Sequence, residues 1–225
     1  MRIRIKICCI SSIEEAKIAI EAGADAIGLV AKMPSGPGPI PDELIIQIAQ
    51  SVPPLIGTFL LTSETSADEI IKHHHRTHTN TIQIVDLLSV GTYTQIREAL
   101  PSVKLVQVIH VIDSTSVDLA VRLSNSVDAL LLDSGNPNLE IKELGGTGRV
   151  HNWNLSRQIR DNAKCPIILA GGLRPENVRH AIEEVQPFAI DVCSGVRTNG
   201  ALDRTKLSCF VSNALNEDLF SAPLI

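Results

Sequence analysis

Two groups able to move protons close apolar segments far apart in the chain. Cys8 ends Arg2-Ile-Arg-Ile-Lys-Ile-Cys8, and Asp133 ends Leu130-Leu-Leu-Asp133. A carboxyl can donate a proton and a thiolate can accept one, so together they would form a general acid–base pair. In the first segment, alternation puts Arg2, Arg4, Lys6 and Cys8 on one face and Ile3, Ile5, Ile7 and Cys9 on the other. A strand opening a series of β-then-α units has this form in a closed barrel, where one face meets helices and the other points inward. A thiol and a carboxyl at the carboxyl ends of two such strands would converge on one site. The thiol must ionise to serve as a base, and its ordinary pKa is about 8.5. Lys6, two residues earlier on the same face, offers a positive charge favouring the thiolate. Taken alone, Cys8 reads as a small buried residue and Asp133 as a cap for the next loop.

The elements that must position this pair alternate strand and helix eight times. Strands are expected over 2–9, 25–31, 55–61, 81–86, 103–111, 128–133, 166–170 and 188–193. Ser12-Ile-Glu-Glu15 and Ser66-Ala-Asp-Glu69 read as capping boxes, opening helices that end near Gly23 and His78. Further helices start at Pro41 and run over 92–99 and 114–125; the last three begin at Asn154, begin at Pro175 and span 203–215. Eight such units in 225 residues predict an α/β chain folded as a single (β/α)8 barrel domain, residues 1–225.

Composition agrees. Hydrophobic residues make up 44% but aromatics only 3%, so the core must be Ile, Leu, Val and Ala, as in parallel strands buried on both faces. A net charge of −5 predicts no nucleic-acid partner. No apolar run is long enough to span a bilayer, and Arg2, Arg4 and Lys6 alternate with isoleucines instead of preceding an apolar block. Neither a membrane nor a secretory signal is expected. The odd cysteine count (8, 9, 165, 193, 209) predicts reduced thiols in a cytoplasm, with Cys165, Cys193 and Cys209 as packing residues.

Gly171-Gly172 follows the seventh strand and Ser194-Gly195 the eighth. Barrels often bind phosphate there through backbone N–H groups, because glycine permits close approach. Tight turns alone would also use these residues, but two small-residue turns in the last two units favour a phosphorylated ligand. Gly145-Gly-Thr-Gly148, in the long loop after strand six, is a candidate lid or a passive connector.

Lys6-Ile-Cys8 with Glu14-Glu-Ala16, Glu21-Ala-Gly-Ala-Asp-Ala-Ile-Gly28, Leu131-Leu-Asp133, Gly145-Gly-Thr-Gly148 with Trp153, Leu169-Ala-Gly-Gly-Leu-Arg-Pro-Glu-Asn-Val178 and Pro187-Phe-Ala-Ile-Asp-Val-Cys-Ser-Gly-Val196 stand in order along the chain. In these blocks the chain resembles the phosphoribosylanthranilate isomerase family of tryptophan biosynthesis. The resemblance implies a cofactor-free, metal-free Amadori rearrangement of N-(5-phosphoribosyl)anthranilate to 1-(2-carboxyphenylamino)-1-deoxyribulose 5-phosphate. Asp133 would protonate the furanose oxygen and Cys8 would remove the C2′ proton; Gly171, Gly172, Ser194 and Gly195 would hold the phosphate.

Departures cluster around the aromatic half of that substrate. The family arginine after strand two, which helps hold the anthranilate carboxylate, is missing from Pro34-Ser-Gly-Pro-Gly-Pro-Ile40. The family's Gln-Leu-His-Gly at strand four is Gln83-Ile-Val-Asp86, the glycine after the first cysteine is Cys9, and an acidic position is Arg197. Asn152 stands for the aspartate before the family tryptophan. Arg197 or Arg149 is a candidate replacement cation. The alternatives are a phosphosugar isomerase or lyase with another aglycone and a non-catalytic phosphometabolite-binding barrel, as monomer or homodimer. His73-His-His75 with His78 is expected to be a solvated helix end, not a metal site.

Overall fold

The computed structural model describes residues 2–216; Met1 and residues 217–225 of the expected domain lie outside the described residues. Eight parallel strands close a barrel in sequence order: β1 (Arg4–Ile7), β2 (Ala26–Val30), β3 (Gly57–Thr62), β4 (Thr81–Ile84), β5 (Lys104–His110), β6 (Ala129–Asp133), β7 (Ile167–Leu169) and β8 (Ala189–Val192). β8 returns to pair with β1, with Lys6 opposite Asp191. The helices alternate with them: α1 (Ile13–Glu21), α2 (Asp42–Ser51), α3 (Ala67–Thr77), α4 (Tyr93–Ala99), α5 (Thr115–Leu123), α6 (Trp153–Asn162), α7 (Val178–Val185) and α8 (Arg204–Leu215). All sixteen expected elements are present, most shorter by a residue or two.

Alternation explains the two layers of the core. Ile5 and Ile7 of β1, Ile27 and Leu29 of β2, and Leu130 and Leu132 of β6 face the helices. The opposite faces fill the barrel with Val30, Leu61, Val106, Val108, Leu131 and Ile168. Fully burying one such side chain stabilises by about 1.5–3 kcal/mol, so the two layers set the register of every strand.

Local details depart from expectation. Ser12 caps α1 as expected, its hydroxyl accepting from the Glu15 amide at 3.1 Å, but Glu15 bonds the Ser11 amide instead of that of Ser12. Ser66 makes no side-chain cap; the first amide of α3 donates to the Val90 carbonyl. The histidines are a solvated helix end only in part: His75 and His78 are exposed, whereas His73 and His74 are buried. His73 bridges Thr62 (3.0 Å) and Asp42 (3.2 Å), and His74 Nε2 bonds the Thr79 carbonyl at 2.7 Å. Beyond β8 lie a single 3-10 turn, Ser194–Val196, and a small hairpin pairing Arg197–Thr198 with Ala201–Leu202. Neither was expected.

Cys9 breaks the alternation. β1 ends at Ile7, and the chain at Cys9 takes a left-handed φ of 62°, which swings its side chain off the helix face into the barrel mouth. There it forms a disulfide with Cys193, with Cα atoms 5.9 Å apart. The expectation of five reduced thiols is corrected accordingly: Cys8, Cys165 and Cys209 are free. Only barrel closure, which makes β1 and β8 neighbours, brings residues 184 apart within bridging distance.

Candidate active site

A cleft of about 690 Å³, open solvent at its mouth included, occupies the carboxyl-terminal end of the barrel. Cys8 and Asp133 both line it, as the strand reading requires. On one side stand Gly171, Gly172 and Ser194; on the other an apolar wall of Val30, Met33, Leu61, Val85 and Leu144. Val85 fills the place of the expected inward histidine with a buried methyl surface. Gly145, Gly146, Thr147 and Gly148 line it as well.

The floor is a buried ionic cluster. Lys6 Nζ donates to Asp191 Oδ1 at 2.9 Å, both side chains less than a tenth exposed, and lies 5.2 Å from the Phe59 ring centroid. Burial alone would lower the Lys6 pKa, but the charges of Asp191 and Cys8 outweigh it and hold the ammonium form. For Asp191 the balance reverses, and burial raises its pKa despite Lys6. Gly28 makes room for this cluster: a Cβ there would stand 2.7 Å from Cys8 Sγ and 3.0 Å from Lys6 Nζ.

Burial also dominates the two proton-moving groups. It pushes the Cys8 thiol up to about 11, more than Lys6 pulls it down, so the help expected from Lys6 is partial. Burial raises Asp133 too, opposed by the Ser134 amide, which donates to Oδ1 at 2.7 Å, and by His110. A raised carboxyl pKa is what a proton donor near neutral pH needs.

The loop residues are held by close packing. Gly145 has a φ of 133°, and a Cβ there would stand 2.6 Å from Asp133 Oδ2. A Cβ on Gly172 would stand 2.5 Å from the Arg149 carbonyl carbon, and one on Gly195 would collide with the Leu173 carbonyl. Gly195 therefore sits behind the lining, and Lys6 sits beneath it. The backbone bonding of the fold leaves the amides of Gly172, Ser194 and Gly195 without a partner among the described residues. Thr147 ties this loop to the end of β6, its hydroxyl 2.8 Å from that of Ser134.

Neither candidate replacement cation reaches the cleft. Arg197 is buried against Glu15 (2.8 and 2.9 Å) and bonds the Cys9 carbonyl; Arg149 pairs with Glu143 at the surface. Among the described residues, no cluster of His, Cys, Asp and Glu has metal-binding geometry, and no helix is long and apolar enough to cross a membrane. Sequence reasoning missed Asp191, whose signal was a lone carboxylate inside the apolar run Phe188-Ala-Ile-Asp-Val192. It also missed His110, level with Asp133 in the β5–β6 register, whose Nε2 donates to the Val85 carbonyl at 3.0 Å.

Residues 5–213 match the family model for N-(5'phosphoribosyl)anthranilate (PRA) isomerase. An N-(5'-phosphoribosyl)anthranilate isomerase of Methanosarcina mazei is 36% identical over 216 residues, covering 95% of each chain. The Haloarcula marismortui enzyme is 34% identical over 94% of this chain and 95% of its own. Among solved structures, the Thermotoga maritima isomerase superposes with a TM-score of 0.77 at 29% identity, covering 94% of this chain and 98% of that one. A phosphoribosyl anthranilate isomerase in complex with reduced 1-(o-carboxyphenylamino)-1-deoxyribulose 5-phosphate gives 0.75 at 27%, with the same coverage. The barrel, the cleft and these matches agree: the chain belongs to the N-(5'-phosphoribosyl)anthranilate isomerase family.

Proposed function

We propose that this (β/α)8 barrel, a single domain, isomerises N-(5'-phosphoribosyl)anthranilate with Asp133 as general acid and Cys8 as general base. The observation that carries this reading is the meeting of those two side chains in one cleft, between small-residue loops and an apolar wall. The phosphate is held by backbone amides of the loops around Gly171, Gly172, Ser194 and Gly195, where the absence of side chains permits close approach. The aromatic ring then lies along Val30, Leu61, Val85 and Leu144.

Asp133, its pKa raised by burial, gives its proton to the furanose ring oxygen while the anthranilate nitrogen opens the ring. The cationic imine formed at C1′ acidifies the C2′ hydrogen. Its charge adds to that of Lys6, and both favour the Cys8 thiolate that removes the proton. Proton loss from C2′ gives the enolamine, and reprotonation at C1′ with loss of the C2′ hydroxyl proton completes the ketose. Each positioned group contributes about 10²–10⁴-fold. Closure of Gly145–Gly148 excludes water from the imine.

The partner is one small phosphorylated molecule, with neither nucleic acid nor membrane, and the assembly is a monomer or homodimer. A phosphorylated substrate does not cross membranes, which supports a cytoplasmic location. The test is turnover of freshly generated phosphoribosylanthranilate, followed by loss of its fluorescence, with wild type and Cys8→Ala in parallel. Fast wild-type turnover that collapses in the variant supports the assignment. A folded wild type without turnover refutes it.

A further inference from the structure

A ligand with a phosphate at one end and an aryl carboxylate at the other needs two anion sites. The amide-lined end supplies the first, yet among the described residues the cleft lining holds no lysine or arginine for the second. A neighbouring groove supplies cations. It is lined by Lys32, Ser63, Glu64, Asp86 and Lys142, and it shares Met33 and Leu144 with the apolar wall of the cleft.

Lys142 is fixed there from two sides. Its carbonyl accepts a hydrogen bond from Ser35 Oγ at 2.6 Å, and Ser35 lies in the β2–α2 loop, within the stretch 34–40 that holds no basic residue. Its ammonium contacts the Asp86 carboxylate, one residue beyond Val85 of the apolar wall. Asp86 is only 12% exposed, whereas Lys142 is 47% exposed and open to an incoming anion. Lys142 also stands two residues before Leu144, on the loop that carries Gly145–Gly148 into the cleft lining.

We propose that Lys142 is the specificity-determining cation for the aglycone carboxylate, brought by the β6–α6 loop in place of a basic residue in the stretch 34–40. Asp86 holds the ammonium in the empty enzyme, and the substrate carboxylate takes over that contact on binding. This assignment rests on the isomerase reading. It departs from it in one respect: recognition of the aglycone and closure of the lid use the same segment.

The experiment compares wild type, Lys142→Met, Lys142→Arg and, as a control at the start of β5, Lys104→Met by steady-state kinetics on phosphoribosylanthranilate. Binding of two reduced product analogues, with and without the ring carboxylate, is measured for each. Loss of a charged hydrogen bond predicts a rise in KM of about 10- to 100-fold for Lys142→Met, with kcat nearly kept. That variant loses the wild-type preference for the carboxylated analogue; Lys142→Arg keeps it, and Lys104→Met behaves as wild type. Wild-type turnover with an unchanged KM in Lys142→Met, or a retained analogue preference, overturns the Lys142 assignment alone. Absence of wild-type turnover overturns the isomerase reading and this one with it.

Discussion

Replacing Lys6 by methionine tests whether the cluster beneath the cleft is held together by charge. The substitution keeps the length of the side chain but leaves Asp191, 8% exposed, with no cation at 2.9 Å. Breaking one partner of a buried pair costs about 3–5 kcal/mol, because the remaining charge is desolvated and uncompensated. For a chain of this size that is a fall in Tm of about 6–20 °C. The loss should shrink on acidification: without Lys6, Asp191 takes up a proton more readily, and a neutral carboxyl is cheaper to bury. Adding Asp191→Leu should recover most of the stability, since an apolar pair of similar volume often replaces a buried ion pair without loss. Activity should not follow. Without the ammonium the Cys8 thiol rises further above about 11, and each unit removes tenfold of the thiolate. Urea unfolding at neutral and mildly acid pH, with kcat/KM for all three proteins, separates the two effects. A Lys6→Met enzyme as stable as wild type would refute the ionic account. Recovery of activity in the double variant would show Lys6 to be structural only.

Acid stability should divide by group. Burial opposes it, but the bonds from Arg197 and from the Ser11 and Leu202 amides hold Glu15 at about 2, against an ordinary 4.5. Its contribution, about 3 kcal/mol, is therefore present above pH 4.5 and lost as pH falls toward 2. Asp133 and Asp191, both raised, act in the opposite sense and relieve the native state as they protonate. Unfolding of Glu15→Gln and wild type across this range should show a gap that closes in acid, and a constant gap would contradict the assignment. Gly145→Ala, whose Cβ meets Asp133 Oδ2 at a φ disfavoured for alanine, should lower kcat/KM by at least about tenfold with little change in Tm. An unaffected rate would show that the loop yields freely. Maleimide labelling of the denatured protein should find three thiols before reduction and all five after it, since Cys9 and Cys193 are cross-linked. Five without reductant would refute the bridge.

The strands were legible because period two in sequence becomes inside and outside in a barrel: Ile5 and Ile7 face helices, Lys6 and Cys8 face the cleft. Asp133 was legible for the same reason, as the polar end of an apolar strand. Residues whose roles depend on closure or on irregular loops were not. Cys193 has no local pattern marking it as the partner of Cys9, and their meeting needs β8 to return beside β1. The burial of His73 and His74 depends on Thr62, Asp42 and Thr79, contacts that a histidine run cannot announce. Lys142 reaches Ser35 through a loop without hydrogen-bonding periodicity, so only coordinates could join them.

The departures from the family pattern form two matched sets instead of scattered losses. At the phosphate side, Cys9 stands where the family pattern has a glycine and takes a left-handed backbone, which costs a non-glycine residue about 1–3 kcal/mol. That conformation is held by the disulfide to Cys193 and by Arg197, which stands where an acidic residue is usual and bonds both the Cys9 carbonyl and Glu15. An acidic residue at 197 would face Glu15 across a pocket in which both side chains are now about nine-tenths buried, so Arg197 is tied to Glu15 and Cys9 as one unit. At the aglycone side, the basic residue lost after β2 and the acidic residue gained at 86 are joined through Lys142, which touches both segments. Between the two sets, Lys6, Cys8, Asp133 and Asp191 keep the register that barrel closure imposes. The chemistry depends on that register, whereas each rim depends on loops. A change at one rim can therefore be offset within its own loops without moving the proton-transfer groups.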